Sequence, residues 1–397
     1  MSRGVPEQVM SGVQGGEFGP PEVNRLAFLL YSLGDRAVAR ITVQVCEVLV
    51  ERGIDVALID FRRSRSTVPL PEKASVHHLD APGRWPILGV RRLAAVLREL
   101  EPDVLFAQLN GPARAAIMAR RMAGVSTRVI AVEHNQYSFY GGHRWLRDGL
   151  TALLYPRAER VAGVSPGVVE DLLTRFPKLK GKTAVLPVVA PDRSRLGILD
   201  TGTPDHPWYR TDGARLICSV GNIVPRKGQH ILIEALPLVR REVGDVRLVL
   251  VGRFDDAEYL SHLERLAEGL GVSECLWFAG YRANPLPHIA HADVFAHSSF
   301  LEGAGMVLLE AMASGVPVVS TDCPSGPSYL LEGGRSGLLV PVGDHVAMAR
   351  AITTALVDGN LRNGLIARAR RRATLFTPQE VAGVYLALAK ECAREQA

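Results

Sequence analysis

Two carboxylates stand eight residues apart in one stretch of this chain, Glu302 and Glu310, with Gly303 and Gly305 between them. The stretch 298–321 reads as loop, helix, turn and strand. The helix is apolar, Gly315 supplies its stop, and the β-branched run 316–320 that follows reads as a buried strand. The opening of such a helix presents unpaired backbone N–H groups and the positive end of the helix dipole, which suits an anionic ligand. At ~1.5 Å rise per helical residue the two carboxylates lie at most roughly 12 Å apart. The chemistry on offer is therefore an anion held by amides and bracketed by two carboxylates, on the scale of a ligand with a sugar at one end and a nucleoside at the other.

A second element carries cations. After an apolar run at 216–220 comes Gly221-Asn222-Ile223-Val224-Pro225-Arg226-Lys227-Gly228, and a helical pattern at 229–240 follows. Arg226 offers a forked donor and Lys227 a point charge, at the C-terminal end of a strand where ligands of open α/β sheets gather. A third candidate is His134, directly after the strand pattern 128–132. A lone His is more often structural. Its place after a buried strand, among polar neighbours, favours a ligand-facing role that orients substrate and does not bind metal.

Glu302 to Val319 spells E-G-x-G-x-x-x-x-E-A-M-A-x-G-x-P-V-V. It resembles the signature of retaining glycosyltransferases of the GT4 kind, which have the GT-B fold. The resemblance implies that Glu302 contacts the transferred sugar and Glu310 the ribose hydroxyls. It implies that amides of Gly303, Ala304, Gly305 and Met306 take the diphosphate. The loop at 221–228 is similar to the family's G-R-x-x-x-x-K-G, which assigns Gly221, Arg226 and Lys227 to the donor. Tyr281 and Arg282, after the strand pattern 276–280, would border the base, and His134 would lie beside the sugar. Together His134 and Glu302 are the expected catalytic residues. Asp322-Cys323-Pro324-Ser325-Gly326-Pro327 continues a turn seen in transferases that mostly use UDP donors. Four departures stand out. Ala304 replaces a larger residue, Asn222 stands where Arg is common, and Ser328-Tyr329 occupy a region that often holds Glu. The Gly-Gly pair expected in the first loop is replaced by Arg36 and Ala37, so Gly34, Asp35 and Arg36 become the acceptor or phosphate loop.

These residues need scaffolding. Strand patterns at 25–31, 56–59, 75–79, 102–107, 128–132 and 160–165 alternate with helical patterns at 39–52, 90–100 and 113–122, the rhythm of a doubly wound parallel sheet. Pro166-Gly167 then opens a helix with Ser165 as its N-cap. A last strand is expected at 185–189, and a loop at 140–145 acting as a lid over the acceptor. The pattern restarts at 216–220 and continues through strands at 246–252, 276–280, 293–296 and 337–341, with helices at 259–269 and 378–390. The fold class expected is α/β, GT-B, two Rossmann-like domains facing a central cleft. The divisions are a loose N-terminal arm (1–22), an acceptor-side domain (23–190), a linker (191–213), a nucleotide-sugar-binding domain (214–376), and a C-terminal helix (377–397) crossing back to the first domain.

Composition bounds the rest. At 397 residues, 47% hydrophobic and 22% charged, the chain can bury two cores. No apolar run reaches the roughly 18 residues of a spanning helix, and the first twenty residues lack the apolar stretch of a signal peptide. Cys46, Cys218, Cys275, Cys323 and Cys392 are scattered, without metal-ligand spacing, as in a reducing compartment. Cytoplasmic residence is expected, with peripheral contact at an anionic membrane, because Arg62-Arg63-Ser64-Arg65, Arg91-Arg92 and Arg120-Arg121 cluster in the first half. Basic runs lack interleaved aromatics, so no nucleic-acid partner is expected. His77 and His78 are adjacent on a strand and point to opposite faces, and Asp255-Asp256 lacks metal-chelating spacing. No metal and no cofactor is expected beyond a nucleotide-sugar co-substrate, most naturally a UDP-sugar, with a glycan, lipid-linked or small-molecule acceptor. Two rivals stay open: a GT-B sugar-nucleotide epimerase, and a non-catalytic partner protein that keeps the donor-site shape.

Overall fold

In the computed structural model the described residues are 23–394, apart from 35–36, 65, 67–68, 82–86, 140–143, 192–201 and 211–212. The arm 1–22, Asp35, Arg36 and most of the expected lid lie outside them. The chain divides into two compact units, one comprising residues up to Val189 together with the segment from Pro378, the other Ala190–Thr377.

The first unit runs β1 (Arg25–Leu30), α1 (Ala37–Glu51), β2 (Asp55–Asp60), β3 (Ser75–His78), α2 (Ile87–Leu100), β4 (Val104–Gln108), α3 (Asn110–Ala123), β5 (Arg128–Glu133), α4 (Arg144–Leu154), β6 (Arg160–Gly163), α5 (Pro166–Arg175) and β7 (Thr183–Val185). Its seven strands are parallel in the order β3-β2-β1-β4-β5-β6-β7. Strands β1, β2, β4 and β5 are apolar on both faces because helices cover both, which is why they read as continuous runs and not as alternation.

Two expectations are corrected here. The strand expected at 185–189 ends at Val185. Leu186 N still bonds Gly163 O (3.0 Å), but Pro187 has no N–H to continue the ladder. The loop expected through residue 145 gives way to α4 from Arg144: the glycines at 141 and 142 read as loop, but an apolar helical face made by Trp145, Leu146, Leu150 and Leu153 begins directly after them.

The second unit runs β8 (Arg215–Val220), α6 (Gln229–Val243), β9 (Val246–Val251), α7 (Ala257–Gly269), β10 (Leu276–Gly280), α8 (Leu286–Ala290), β11 (Val294–His297), α9 (Met306–Ser314), β12 (Val318–Thr321), α10 (Pro327–Leu330), β13 (Leu338–Val340), α11 (His345–Val357) and α12 (Gly359–Ala373). Its six strands are parallel in the order β10-β9-β8-β11-β12-β13. Ile217, Leu248 and Val294 of the sheet pack with Ile233, Leu236 and Ile352 of the helices to form the core. Helices α11 and α12 were not expected, although each has an Asp N-cap: Ala347 N donates to Asp344 Oδ1 (2.8 Å) and Leu361 N to Asp358 Oδ1 (2.9 Å). Within the stretch expected as linker, His206 stacks on Trp277 (3.8 Å between centroids) and Tyr209 OH meets His288 Nδ1 at 2.8 Å.

The closing helix, α13 (Pro378–Arg394), packs on the first unit. Tyr385 is buried against Phe106 and Phe28, with ring centroids 4.9 and 6.0 Å away, and Arg160 pairs with Glu391 at 2.7 Å. Each sheet reverses its winding between its first strand and the fourth strand of the unit: between β1 and β4, and between β8 and β11. Loops leaving the C-terminal ends of those strand pairs are where open α/β sheets bind ligands.

Candidate active site

The second unit brings its sequence-marked residues together at that reversal. The loop after β8 holds Arg226 and Lys227, and the loop after neighbouring β11 holds Glu302. Phe300 N donates to Arg226 O (3.0 Å), Ser298 Oγ donates to Lys227 O (3.0 Å), and Thr321 Oγ1 donates to Ser299 O (2.6 Å). Three backbone-directed bonds thus lock the cationic loop, the glutamate loop and the end of β12 into one piece. Gly228 makes the contact possible: its φ is +64°, and a Cβ there would come within 2.3 Å of Ser298 O.

Glu302 and Lys227 form a largely enclosed ion pair, with side chains 11% and 15% exposed. Ser299 Oγ donates to the same Glu302 Oε1 at 2.8 Å. His297 Nε2 lies 3.0 Å from that oxygen. Burial alone would raise the Glu302 pKa. The Lys227 charge, then His297, overcome it and hold the carboxyl well below the usual range, so Glu302 is a carboxylate at any working pH. His297 and Ser299 are site residues that the motif did not mark. His297 stands at the last position of a buried strand, the signal that had singled out His134.

The turn at 321–327 braces the glutamate loop from the other side. The Glu302 backbone bridges to Ser325, and a Cβ on Gly326 would lie 2.3 Å from Ala304 O. Ala304 is buried here. Beyond the loop Met306 begins α9, whose first N–H groups have no intrahelical partner, and half-buried Glu310 follows on the same helix. Arg226 is exposed and makes no side-chain hydrogen bond or ion pair among the described residues. Asn222 turns away to donate to Asp255 Oδ2 (2.7 Å), and Gly221 closes on β9 through its N–H to Val251 O (2.9 Å). Tyr281 and Arg282 are exposed at the exit of β10, where Arg253 lies over the Tyr281 ring at 4.4 Å. The geometry offers one cationic loop with an exposed guanidinium that is unpaired among the described residues, and one enclosed carboxylate.

In the first unit His134 follows β5 and is buried, and its Nε2 donates to Gln108 Oε1, 2.7 Å away at the end of β4. Burial pushes its pKa down to about 4, so the ring is neutral near pH 7 and suited to hydrogen bonding. The loop after β1 is tied down by a chain of bonds: Gly34 N to Ser32 Oγ (3.0 Å), Ser32 Oγ to Ser64 Oγ (2.9 Å), and Ser64 Oγ to buried Asp60 Oδ2 (2.9 Å). Asp35 and Arg36 fall outside the described residues. Among the described residues no three His, Cys, Asp or Glu side chains are grouped to hold a metal ion, and no helix is long and apolar enough to cross a membrane.

Residues 207–372 match the family model described as Glycosyl transferases group 1, and residues 38–188 match Glycosyltransferase Family 4. A GDP-mannose-dependent α-(1-6)-phosphatidylinositol monomannoside mannosyltransferase of Mycobacterium tuberculosis is 31% identical over 297 residues, 70% of this chain and 72% of that protein. The chain belongs to the GT4 glycosyltransferases. Another GT4 relative, from Campylobacter jejuni, is 28% identical over 91% of this chain and 98% of its own length. It is an N-acetylgalactosaminyltransferase acting on an N-acetylgalactosamine-N,N'-diacetylbacillosaminyl-diphospho-undecaprenol. Among solved structures, a glycosyltransferase from Rickettsia africae superposes with a TM-score of 0.79 at 16% identity, covering 94% of this chain and 99% of that one. Anabaena HepE, solved with UDP and glucose, gives 0.70 at 21% identity, covering 91% and 97%. The fold of this GT4 enzyme is GT-B.

Proposed function

We propose that the protein is a retaining, metal-independent glycosyltransferase that moves a sugar from a UDP-sugar to a hydroxyl of a lipid-linked or glycan acceptor. The observation that carries the reading is the joined element of the second unit: Glu302 held ionised beside Lys227, with exposed Arg226 and the amide-bearing start of α9 on the same locked loops. A diphosphate leaving group would draw Lys227 and Arg226 and the amides of Gly303 to Met306, which supply the charge stabilisation a metal supplies elsewhere. Glu302 then accepts from hydroxyls of the transferred sugar, and Glu310 from those of the ribose. His134, neutral, takes a hydrogen-bonding role toward that sugar and not a proton-donating one. No protein nucleophile is assigned. Retention follows from attack on the face the leaving phosphate occupies, with that phosphate receiving the acceptor proton.

UDP is favoured by the turn at 321–327 and by the UDP-bound HepE structure. The GDP-mannose-dependent relative makes GDP the competing nucleotide. Two relatives act on lipid-bearing acceptors, which supports an acceptor of that class and work at a membrane surface. Neither the epimerase nor the non-catalytic reading is favoured by these relatives. The test is a product screen of UDP- and GDP-sugars, in EDTA, against diphospho-polyprenol and phosphoinositide acceptors, with the anomeric configuration read by NMR. The expected product keeps the donor's α configuration. An inverted product, or turnover only after a divalent metal is restored, overturns the proposal.

A further inference from the structure

Helix α4 of the first unit is inside out. At about 100° per residue, Trp145, Leu146, Leu150 and Leu153 fall within an arc of about 140° on one face. That face is exposed: Trp145 is 73% accessible and Leu153 54%. The opposite side carries Thr151, fully buried, whose Oγ1 accepts from Tyr137 OH (3.0 Å) and Asn110 Nδ2 (3.2 Å). The helix therefore anchors itself by polar contacts and turns its apolar side outward. Phe139, just before it, and Met118 and Met122 on adjoining α3 are exposed as well. An apolar face of this extent on a soluble unit marks an interaction surface.

Its surroundings are cationic. Residues 111–182 hold twelve Lys and Arg against five Asp and Glu, a formal +7, more than the +5 of the whole chain. Four of the five acids are committed, Asp148 to Arg147 and Arg175, Glu159 to Arg120, Asp171 to Ser138 and Glu133 to Tyr155, and Glu170 is exposed. Arg121 is exposed and makes no side-chain ion pair among the described residues. A cavity of about 410 Å³ opens there, lined by apolar Ile117, Val125 and Leu154 and by Arg120, Arg121 and Arg157. Two copies of so positive a face would repel, so the charge selects an anionic occupant with an apolar interior.

We propose that the outward face of α4 and the end of α3 dock onto an anionic lipid bilayer, with Trp145, Leu150 and Leu153 in the headgroup–acyl boundary and the arginines on lipid phosphates. The inference extends the lipid-linked-acceptor reading but uses none of the donor site. Vesicle binding is measured without donor or acceptor, so either can fail while the other stands.

The test is flotation of the full chain with phosphatidylcholine vesicles, with and without about 30 mol% phosphatidylglycerol, as the anionic-surface attraction requires. The protein should float with the anionic vesicles, remain below with neutral ones, and detach in about 0.5 M NaCl, where screening shortens the field. The Trp145→Ser, Leu150→Ser double variant should lower partitioning at least about tenfold, and Arg121→Glu, Arg157→Glu should do the same, because lipid affinity scales with buried apolar area and basic charge. Both change exposed residues, and unchanged circular dichroism and thermal midpoint confirm the fold. Bromine-labelled acyl chains should quench wild-type fluorescence and spare Trp145→Phe. Absent flotation, or flotation untouched by either variant, overturns the proposal. So does a self-association in ultracentrifugation that the Trp145→Ser, Leu150→Ser variant abolishes, for then a second copy covers the face.

Discussion

Lys227→Met removes the cation from the enclosed pair and strands the carboxylate of Glu302. Breaking a buried pair at one end costs about 3–5 kcal/mol. The Ser299 hydroxyl still donates to Glu302 Oε1 at 2.8 Å, and such a bond offsets about 1 kcal/mol. The expected loss is therefore roughly 2–4 kcal/mol at pH 7.5. Replacing both partners, Lys227→Met with Glu302→Gln, removes the stranded charge and should recover at least about 2 kcal/mol of it. The assay is urea unfolding of the four proteins of the cycle, followed by fluorescence of Trp208 and Trp277, both in the second unit. The pH dependence has a definite sign. In the wild type the folded pKa of Glu302 lies below its usual 4.5, so the pair's contribution is complete above pH 4.5 and is lost as pH falls below it. In Lys227→Met burial dominates, the folded pKa moves above 4.5, and protonation relieves the cost. The gap between wild type and variant should narrow as pH falls from 7.5 toward 4.5. A loss under about 0.5 kcal/mol, the level of an ordinary surface change, or a double variant no better than the sum of the singles, would refute the claim that Lys227 holds Glu302 ionised.

Other outcomes follow from the same geometry. Glu302→Gln should lower kcat by at least about 100-fold while leaving nucleotide affinity within a few-fold, read by steady-state kinetics and calorimetry. Arg226→Ala should leave the thermal midpoint unchanged, since the side chain is exposed and makes no hydrogen bond or ion pair among the described residues, yet weaken UDP-sugar binding about 10–100-fold, the worth of a charged hydrogen bond. Gly326→Ala puts a methyl 2.3 Å from Ala304 O and should shift the glutamate loop, lowering kcat/KM with little change in secondary structure by circular dichroism. His134, with its pKa depressed from 6.5 to about 4, favours folding fully above pH 6.5 and loses that contribution as pH falls toward 4. NMR titration of its ring should show no charge change between pH 6 and 9, and a rate profile set by His134 in that range would contradict the assignment.

Much of this was legible before any coordinates. Parallel strands buried on both faces declare themselves as apolar runs, so β1, β8 and β9 were found within a residue or so. The glycine at 315 and the carboxylates at 302 and 310 placed α9. The ion pair was not legible, because Lys227 and Glu302 are 75 residues apart and only the adjacency of β8 and β11 in the sheet joins them. Nor was the role of His297, which depends on which face of a strand end meets the glutamate. Helix α4 carries a clear apolar stripe, but the glycines at 141 and 142 extended the loop reading over its start, and nothing in the sequence says that the stripe faces outward. Helices α11 and α12 carried their signal in Asp344 and Asp358, single capping residues that precede weakly amphipathic runs.

The central claim is that the second unit holds a nucleotide-sugar donor through Lys227, Arg226 and Glu302 without a metal. The most direct measurement is calorimetric titration of UDP and GDP sugars into the wild type and Arg226→Ala, with EDTA throughout. The account predicts saturable binding of a UDP-sugar by the wild type in EDTA, weakened in Arg226→Ala. Binding that appears only when Mg²⁺ or Mn²⁺ is added, or that is indifferent to Arg226, would contradict it.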